Sequence, residues 1–272
     1  MDIKKEIDRL INEYFGKQSE LIASILKPSI GIKTSEFNNT EILSKFGGVP
    51  KAKNGFSFPK DKNYSLLCQL DLSEFKILDV ENILPAKGIL YFFIDNNIQT
   101  FSEESSSLVF YQTYDKKADL VYQQQHLEHV YKEIKLNFFE YYSFPSYQEN
   151  ERLKLSEEID DDLIDEITEE ILFNTQVGVG HQILGAPQAL QGGVHYHFAH
   201  RYLGFKDYNL DESQKKQITQ IQDNFILLLQ IDLEDTKLSF SEFNMGVLYF
   251  GILKDDLNKL KFDRTVLIFQ ST

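Results

Sequence analysis

The sequence predicts an α+β fold of two similar halves, each a helix followed by an antiparallel β-meander, that arose by internal duplication. The segment Leu66–Leu72 (LLCQLDL) returns as Leu227–Leu233 (LLLQIDL), and the segments Gly88–Gln112 and Gly246–Gln270 have equal length and similar first strands. An amphipathic helix is predicted before each copy. A lone meander exposes an apolar face and two open edges. We therefore expect the halves to pack around a pseudo-twofold axis as one domain.

The expected domain spans residues 1–272, with repeat halves at approximately 1–118 and 155–272. An aromatic and acidic middle segment joins the halves. Length alone would also allow two small domains. The matched order of the repeated strands favours a single domain.

The first half begins with a helix predicted over residues 2–27, because Ile3, Ile7 and Leu10 recur at helical spacing and Pro28 cannot continue a helix. Short runs of apolar residues between turn signals indicate strands. They lie at Ser29–Thr34, Ser65–Leu72, Gly88–Asp95 and Ser107–Tyr114. The aromatic segment 119–150 gives no firm assignment, although part of it alternates as a strand would.

The second half begins with a helix predicted over residues 156–173, where apolar residues recur every four positions below an acidic outer face. Gly178–Gln191 is predicted to be a loop, and residues 192–224 are predicted to be loop-like and polar. The remaining strands are predicted at Phe225–Leu233, Gly246–Leu253 and Arg264–Thr272.

The negative charge of the chain argues against some classes of binding partner and favours others. The formal net charge is −14, which argues against a basic nucleic-acid-binding face. Residues 151–172 hold ten acidic residues against two basic ones, a net charge of −8. Solvation of a helix face explains such a segment, and a basic protein such as a toxin is the alternative. The residues proposed for that contact are Asp161, Asp162, Asp165 and Glu169.

The apolar segments favour a soluble protein. The N-terminus reads as a helix start and not as a signal peptide, and the longest apolar runs are of strand length, far short of a membrane span. Cys68 is the only cysteine and lies in an apolar strand, so a disulfide framework within the chain is excluded. We therefore expect a cytoplasmic protein without membrane association.

Two polar residues recur at matching positions of the repeated strand. In a strand of period two, Gln69 and Asp71 share one face, as do Gln230 and Asp232. One interpretation is that the glutamines satisfy backbone groups at a strand edge. The other is that Gln69, Asp71, Gln230 and Asp232 line a ligand-binding cleft between the halves.

Three histidines form the candidate metal site. His195 and His197 would share a face if the segment were a strand, and His200 follows closely. Neutral imidazoles suit zinc, copper or nickel. A solvated histidine cluster is the simpler interpretation, because acidic residues are distant in sequence. We therefore expect no metal and no cofactor, and no motif assigns a catalytic residue.

An ordered set of motifs resembles the YwqG-like family of bacterial proteins, a family of unknown function. The motifs are SKFGGVP (Ser44–Pro50), LLCQLDL, LPAKGILYFFID (Leu84–Asp95), GHQILGAPQALQ (Gly180–Gln191), LLLQIDL and GVLYFGILKDDL (Gly246–Leu257). The resemblance implies a duplicated α+β fold and a bacterial cytoplasmic location, without accepted catalytic residues. Some relatives are thought to accompany polymorphic toxin genes, which implies an immunity or protein-binding role.

The chain departs from this family in places. It has no tryptophan, and Phe56, Phe58 and Phe243 stand where the resemblance implies tryptophans. The acidic segment, the absence of catalytic motifs and the resemblance together favour a non-enzymatic protein-binding module, such as an immunity protein against a polymorphic toxin. A small-ligand-binding protein or an enzyme with a cleft between the halves is the alternative.

Overall fold

A computed structural model describes residues 3–35, 42–56, 64–95, 107–123, 129–149, 165, 169, 180–238, 240 and 246–271. Most of the regular structure in these residues is β-strand. The strands are β1 (Lys27–Ser35), β2 (Lys45–Phe46), β3 (Lys51–Lys53), β4 (Tyr64–Asp71), β5 (Ile89–Asp95), β6 (Ser107–Gln112), β7 (Leu120–Tyr122), β8 (Ile134–Ser143), β9 (His181–Ile183), β10 (Phe225–Asp232), β11 (Gly246–Leu253) and β12 (Val266–Ser271).

Helices form a smaller part of the described residues. They are α1 (Ile3–Phe15), α2 (Ser19–Ile25), α3 (Val194–Tyr202), α4 (Glu212–Ile221) and the short α5 (Lys254–Asn258). None of them combines the length and the apolar character that a membrane span requires.

Ten of the strands form one antiparallel sheet in the order β12-β11-β10-β9-β1-β8-β2-β4-β5-β6, and β3 pairs with β7 separately. The sheet curls until its two ends face each other. The rings of Phe92 in β5 and Phe250 in β11 meet edge to face, with centroids 5.0 Å apart. Together with the buried residues between them, these rings form the main core of a nearly closed barrel.

The predicted architecture of two helix-plus-meander halves is wrong. The long strands β1 and β8 pair from Lys27 with Ser143 to Ser35 with Lys135, and they join the two ends of the sheet into one continuous layer. Few helices accompany this layer. The fold is therefore a mostly antiparallel, barrel-like sheet rather than a pair of packed α+β units.

Individual strands agree with the sequence patterns better than the architecture does. The predicted strands correspond to β1, β4, β5, β6, β10, β11 and β12, and the unassigned aromatic segment contains β8. The loop predicted over residues 192–224 contains the helices α3 and α4 instead. The helix predicted over residues 156–173 lies outside the described residues, except for Asp165 and Glu169.

Alternating side chains of strand β11 pack into two different hydrophobic cores. In β11, Leu248, Phe250 and Ile252 enter the main core, whereas Val247 and Tyr249 pack beneath α3 and α4. This division follows from the period-two geometry of a strand. It places α3, which carries the histidines, against the outer face of the β10–β12 strands.

Candidate functional site

A cavity of about 200 Å³ lies where the starts of β1 and β10 meet the turn after β9 and the first turn of α3. Its wall is partly apolar and partly charged. The connection between β4 and β5 also contributes, through Glu81 and Ile83. The residues that line it are Lys27, Pro28, Glu81, Ile83, Glu149, Leu184, Gly185, Ala186, His195, Asp223, Phe225, Ile226 and Leu227.

Glu149 and His195 form a hydrogen-bonded pair in this wall. The Oε2 atom of Glu149 lies 2.8 Å from Nδ1 of His195, and its Oε1 atom accepts the backbone N–H of Val194 at 2.6 Å. Glu149 is only 2% exposed. Burial of a carboxylate is costly unless its oxygens are bonded, and here both have donors. The pair is therefore a fixed polar element of the cavity wall.

The loop before α3 sets the position of His195. Gln270 of β12 is buried, its Oε1 atom accepts the N–H groups of Leu190 and Gln191, and its Nε2 atom donates to the carbonyls of Gln191 and Gly192. Gly193 then precedes the helix, where an added Cβ would lie 2.6 Å from the carbonyl oxygen of Gln148. This loop consequently runs close beside the segment that carries Glu149.

A tight turn forms another part of the wall. Gly185 has φ +75°, and an added Cβ would overlap Oγ of Ser29 and lie 2.5 Å from Oγ of Ser143. Ser143 in turn accepts the backbone N–H of Ala186 at 2.8 Å. Glycine is therefore required at position 185 both by the backbone conformation and by the close approach of β1 and β8.

The three histidines proposed as a metal site lie on α3 and not on a strand. Because residues two apart on a helix point in different directions, His195 and His197 do not share a face. His197 Nε2 lies 3.2 Å from the carbonyl of Gln191, and His200 Nε2 lies 2.9 Å from that of Asp207. Burial lowers the pKa of His197.

A carbonyl oxygen only accepts, so both of these Nε2 atoms carry a proton. No group of three or more metal-ligating side chains is found in the part of the chain that the structure describes.

Gln69 and Asp71 are fully buried in β4 and bond to nearby chain segments. Oε1 of Gln69 accepts the N–H of Lys51 at 2.8 Å, and its Nε2 donates to the carbonyl of Leu43 at 2.9 Å. Asp71 accepts the hydroxyl of Tyr114 at 2.7 Å and also caps the turn that follows β4. Neither residue lines the cavity.

Gln230 and Asp232 behave in a similar way on β10. Oε1 of Gln230 accepts the N–H of Gln188 at 3.0 Å, and its Nε2 donates to the carbonyl of Gly180 at 3.1 Å. Asp232 accepts the N–H of Glu234 at 2.9 Å. In the sheet, β9, β1, β8 and β2 separate β10 from β4. The two pairs thus bond to different chain segments and share no hydrogen-bond partner among the described residues.

The acidic residues proposed for a partner contact are only partly described. Asp161 and Asp162 lie outside the described residues. Asp165 and Glu169 are both helical, the former half-buried and the latter exposed.

Glu149 was not predicted as a functional residue. It lies in the aromatic segment that has no clear periodicity, and 46 positions separate it from His195. A contact between residues so far apart in the sequence leaves no local pattern from which it could be predicted. His195 was singled out only as a weak metal candidate, and its contact with a glutamate was not predicted.

These features define a mostly β protein with a small, partly charged pocket. Residues 44–271 match a family model described as Domain of unknown function (DUF1963), and since the match covers most of the chain, the protein belongs to this family. No curated protein shows significant similarity to it. The YwqG-like name remains a prediction, and the function of the protein is uncharacterised.

Proposed function

We propose that the protein binds a small molecule in the cavity beside His195 and Glu149. The observation that supports this is a hydrogen bond between a buried carboxylate and a half-buried imidazole in the wall of a cavity. A few oriented polar groups within a largely apolar wall are typical of ligand sites. The sequence also suggested a small ligand, but in a cleft between the two halves. The present proposal uses His195 and Glu149 instead of the residues expected to line that cleft.

The dimensions of the cavity limit the ligand. At about 200 Å³, it is smaller than the roughly 300–1,000 Å³ of pockets for drug-sized molecules. The same space would hold about seven water molecules at roughly 30 Å³ each. A metabolite with about as many heavy atoms fits the proposal, whereas a nucleotide does not.

A thermal-shift screen of small metabolites tests this proposal. A ligand at about one hundred times its Kd stabilises the folded state by about 2.7 kcal/mol, a rise in Tm of roughly 5–10 °C for a chain of this size. Stabilisation should disappear in His195→Gln and persist in His197→Gln, the matched variant two residues further along α3. Ligands that stabilise both variants equally would place binding elsewhere and contradict the proposal.

The acidic segment supports a second candidate function, a protein-binding role. Its net charge of −8 over residues 151–172 favours a basic partner, such as a toxin that the protein would neutralise. Association driven by such charge is fast and weakens with salt. Affinity purification from the native cells at low and high salt would identify a stoichiometric partner.

Reversal of four acidic residues to lysine provides the control for this second role. The residues are Asp161, Asp162, Asp165 and Glu169. A partner that still binds the reversed variant with the same salt dependence would contradict a contact through the acidic segment.

A further inference from the structure

The hydrogen bonds of Glu149 determine which nitrogen of His195 carries the proton. Val194 offers a backbone N–H, which only donates, to one carboxylate oxygen, and Nδ1 of His195 faces the other. A carboxylate accepts and does not donate, so Nδ1 carries the ring proton. In the neutral ring the lone pair is then on Nε2. No hydrogen bond to Nε2 is formed by the described residues, so this atom is available as an acceptor.

A ligand that contacts Nε2 must therefore supply a donor. Alcohols and ammonium groups both do so, and the charges around the cavity discriminate between them. Glu81 and Asp223 line the cavity and are exposed to solvent, which places them towards its mouth, and Glu149 lies buried within the wall. Among the described lining residues, Lys27 supplies the single ammonium. Carboxylates thus outnumber lysine in the wall, which favours a cation over a neutral donor.

The remaining wall is apolar and is suited to pack against a short hydrocarbon chain of a ligand. Phe225 and Leu227 of β10 are buried, and they line the cavity together with Ile83 and Leu184. A ligand with one polar end and a short apolar chain would use both parts of the wall.

We propose that the cavity binds small primary amines, whose ammonium group donates to His195 Nε2 while the hydrocarbon chain packs against Phe225 and Leu227. This inference rests on the proposed small-molecule function and specifies its ligand class. Glu149 is a positioning residue in this scheme, because it acts on the ligand through the tautomer of His195.

Three probes of the same length and different head groups test the ligand class: pentylamine, pentanol and pentanoate. Calorimetric titration of the full chain should give pentylamine an affinity about 2–30-fold higher than pentanol, since a charged hydrogen bond is worth about 1.5–3 kcal/mol against about 1 kcal/mol for a neutral one. Pentanoate should bind more weakly than both, because it offers no donor and meets carboxylates of like charge.

The variant Glu149→Gln tests the tautomer argument directly. The glutamine carbonyl must stay with the N–H of Val194, so its NH₂ group would donate to Nδ1 of His195. The ring proton would then move to Nε2, which becomes a donor. Nitrogen-15 NMR of the imidazole should show an Nδ1-protonated ring in the wild type and an Nε2-protonated ring in Glu149→Gln. Pentylamine affinity should fall by about tenfold or more in this variant.

The matched control is Glu212→Gln, which removes the same charge from an exposed position on α4. It should leave both the ring tautomer and pentylamine binding unchanged. Should Glu149→Gln fail to fold, the wild-type NMR spectrum still decides the tautomer, and an Nε2-protonated neutral ring would overturn the inference.

Failure of this inference can be told apart from failure of the proposed function. Tighter, His195-dependent binding of pentanol or pentanoate would overturn the amine class while retaining the cavity as a ligand site. Absence of binding by all three probes would also overturn it, and the metabolite screen with His195→Gln and His197→Gln then decides whether the cavity binds any small molecule.

Discussion

Replacement of Gln69 by methionine should destabilise the fold without affecting ligand binding in the cavity. Methionine has a similar length and shape but cannot form the two amide hydrogen bonds. The change leaves the buried carbonyl of Leu43 without its donor and the N–H of Lys51 without its acceptor. An unsatisfied buried group costs about 1–3 kcal/mol, and a more accessible one about 0.5–1.5 kcal/mol. We therefore expect a loss of about 2–4 kcal/mol in the free energy of unfolding.

Urea unfolding followed by circular dichroism measures this loss as a lower midpoint at unchanged slope. Gln217→Met is the matched control, because Gln217 is exposed on α4, and it should change stability by no more than about 0.5 kcal/mol. A Gln69→Met protein of wild-type stability that no longer responds to ligands would refute the structural role. It would return Gln69 to the ligand-binding cleft predicted from the sequence.

Two further predictions concern the electrostatics and the packing of the sheet. The hydrogen bond from His181 holds the pKa of Asp235 well below its ordinary value, so the stabilisation is present above the unfolded-state pKa and is lost as the pH falls through the folded-state value. Asp235→Asn should lower the free energy of unfolding by about 1–2 kcal/mol at neutral pH and should weaken the loss of stability at acid pH. Urea unfolding between about pH 2 and 6 measures this, and a pH dependence equal to that of the wild type would contradict the prediction. Gly185→Ala should destabilise by about 2–4 kcal/mol in urea unfolding, because it adds a steric overlap to the cost of a positive φ. Gly204 has φ +73° and open space around an added Cβ, so Gly204→Ala should lower the free energy of unfolding by only about 1 kcal/mol. An equal loss in both variants would show that the overlap at position 185 is relieved.

The strands could be predicted from the sequence, because their signal is local. A run such as Gly246–Leu253 carries the apolar residues and the flanking turn within a few positions, and it forms β11 as expected. The way in which strands join was not predictable in this manner. The strand β1 pairs with β8 across more than one hundred positions, and neither sequence indicates the other. The division into two halves failed at these central strands.

The helix α3 was missed because of its composition. The segment Val194–Tyr202 contains three histidines and aromatic residues, which have modest helix propensity. Its buried apolar positions, Val194, Phe198 and Ala199, show helical spacing, but over barely two turns. With the segment predicted to be loop-like, a strand geometry that would put His195 and His197 on one face stayed open, and with it a weak candidate metal site. The correct secondary structure separates them and leaves His195 with Glu149.

The buried glutamines of the strands hold neighbouring backbone segments in place through their side-chain amides. Gln69 and Gln230 each accept from one backbone N–H and donate to one backbone carbonyl of a neighbouring segment, a role that accounts for their recurrence in β4 and β10. Gln270 uses the same chemistry on the loop that leads into α3. Because that loop ends beside His195, a structural hydrogen bond there also orients the cavity wall. The repeated glutamines therefore bind backbone segments of the fold, whereas Glu149 and His195, which line the cavity, lie outside the repeated strands.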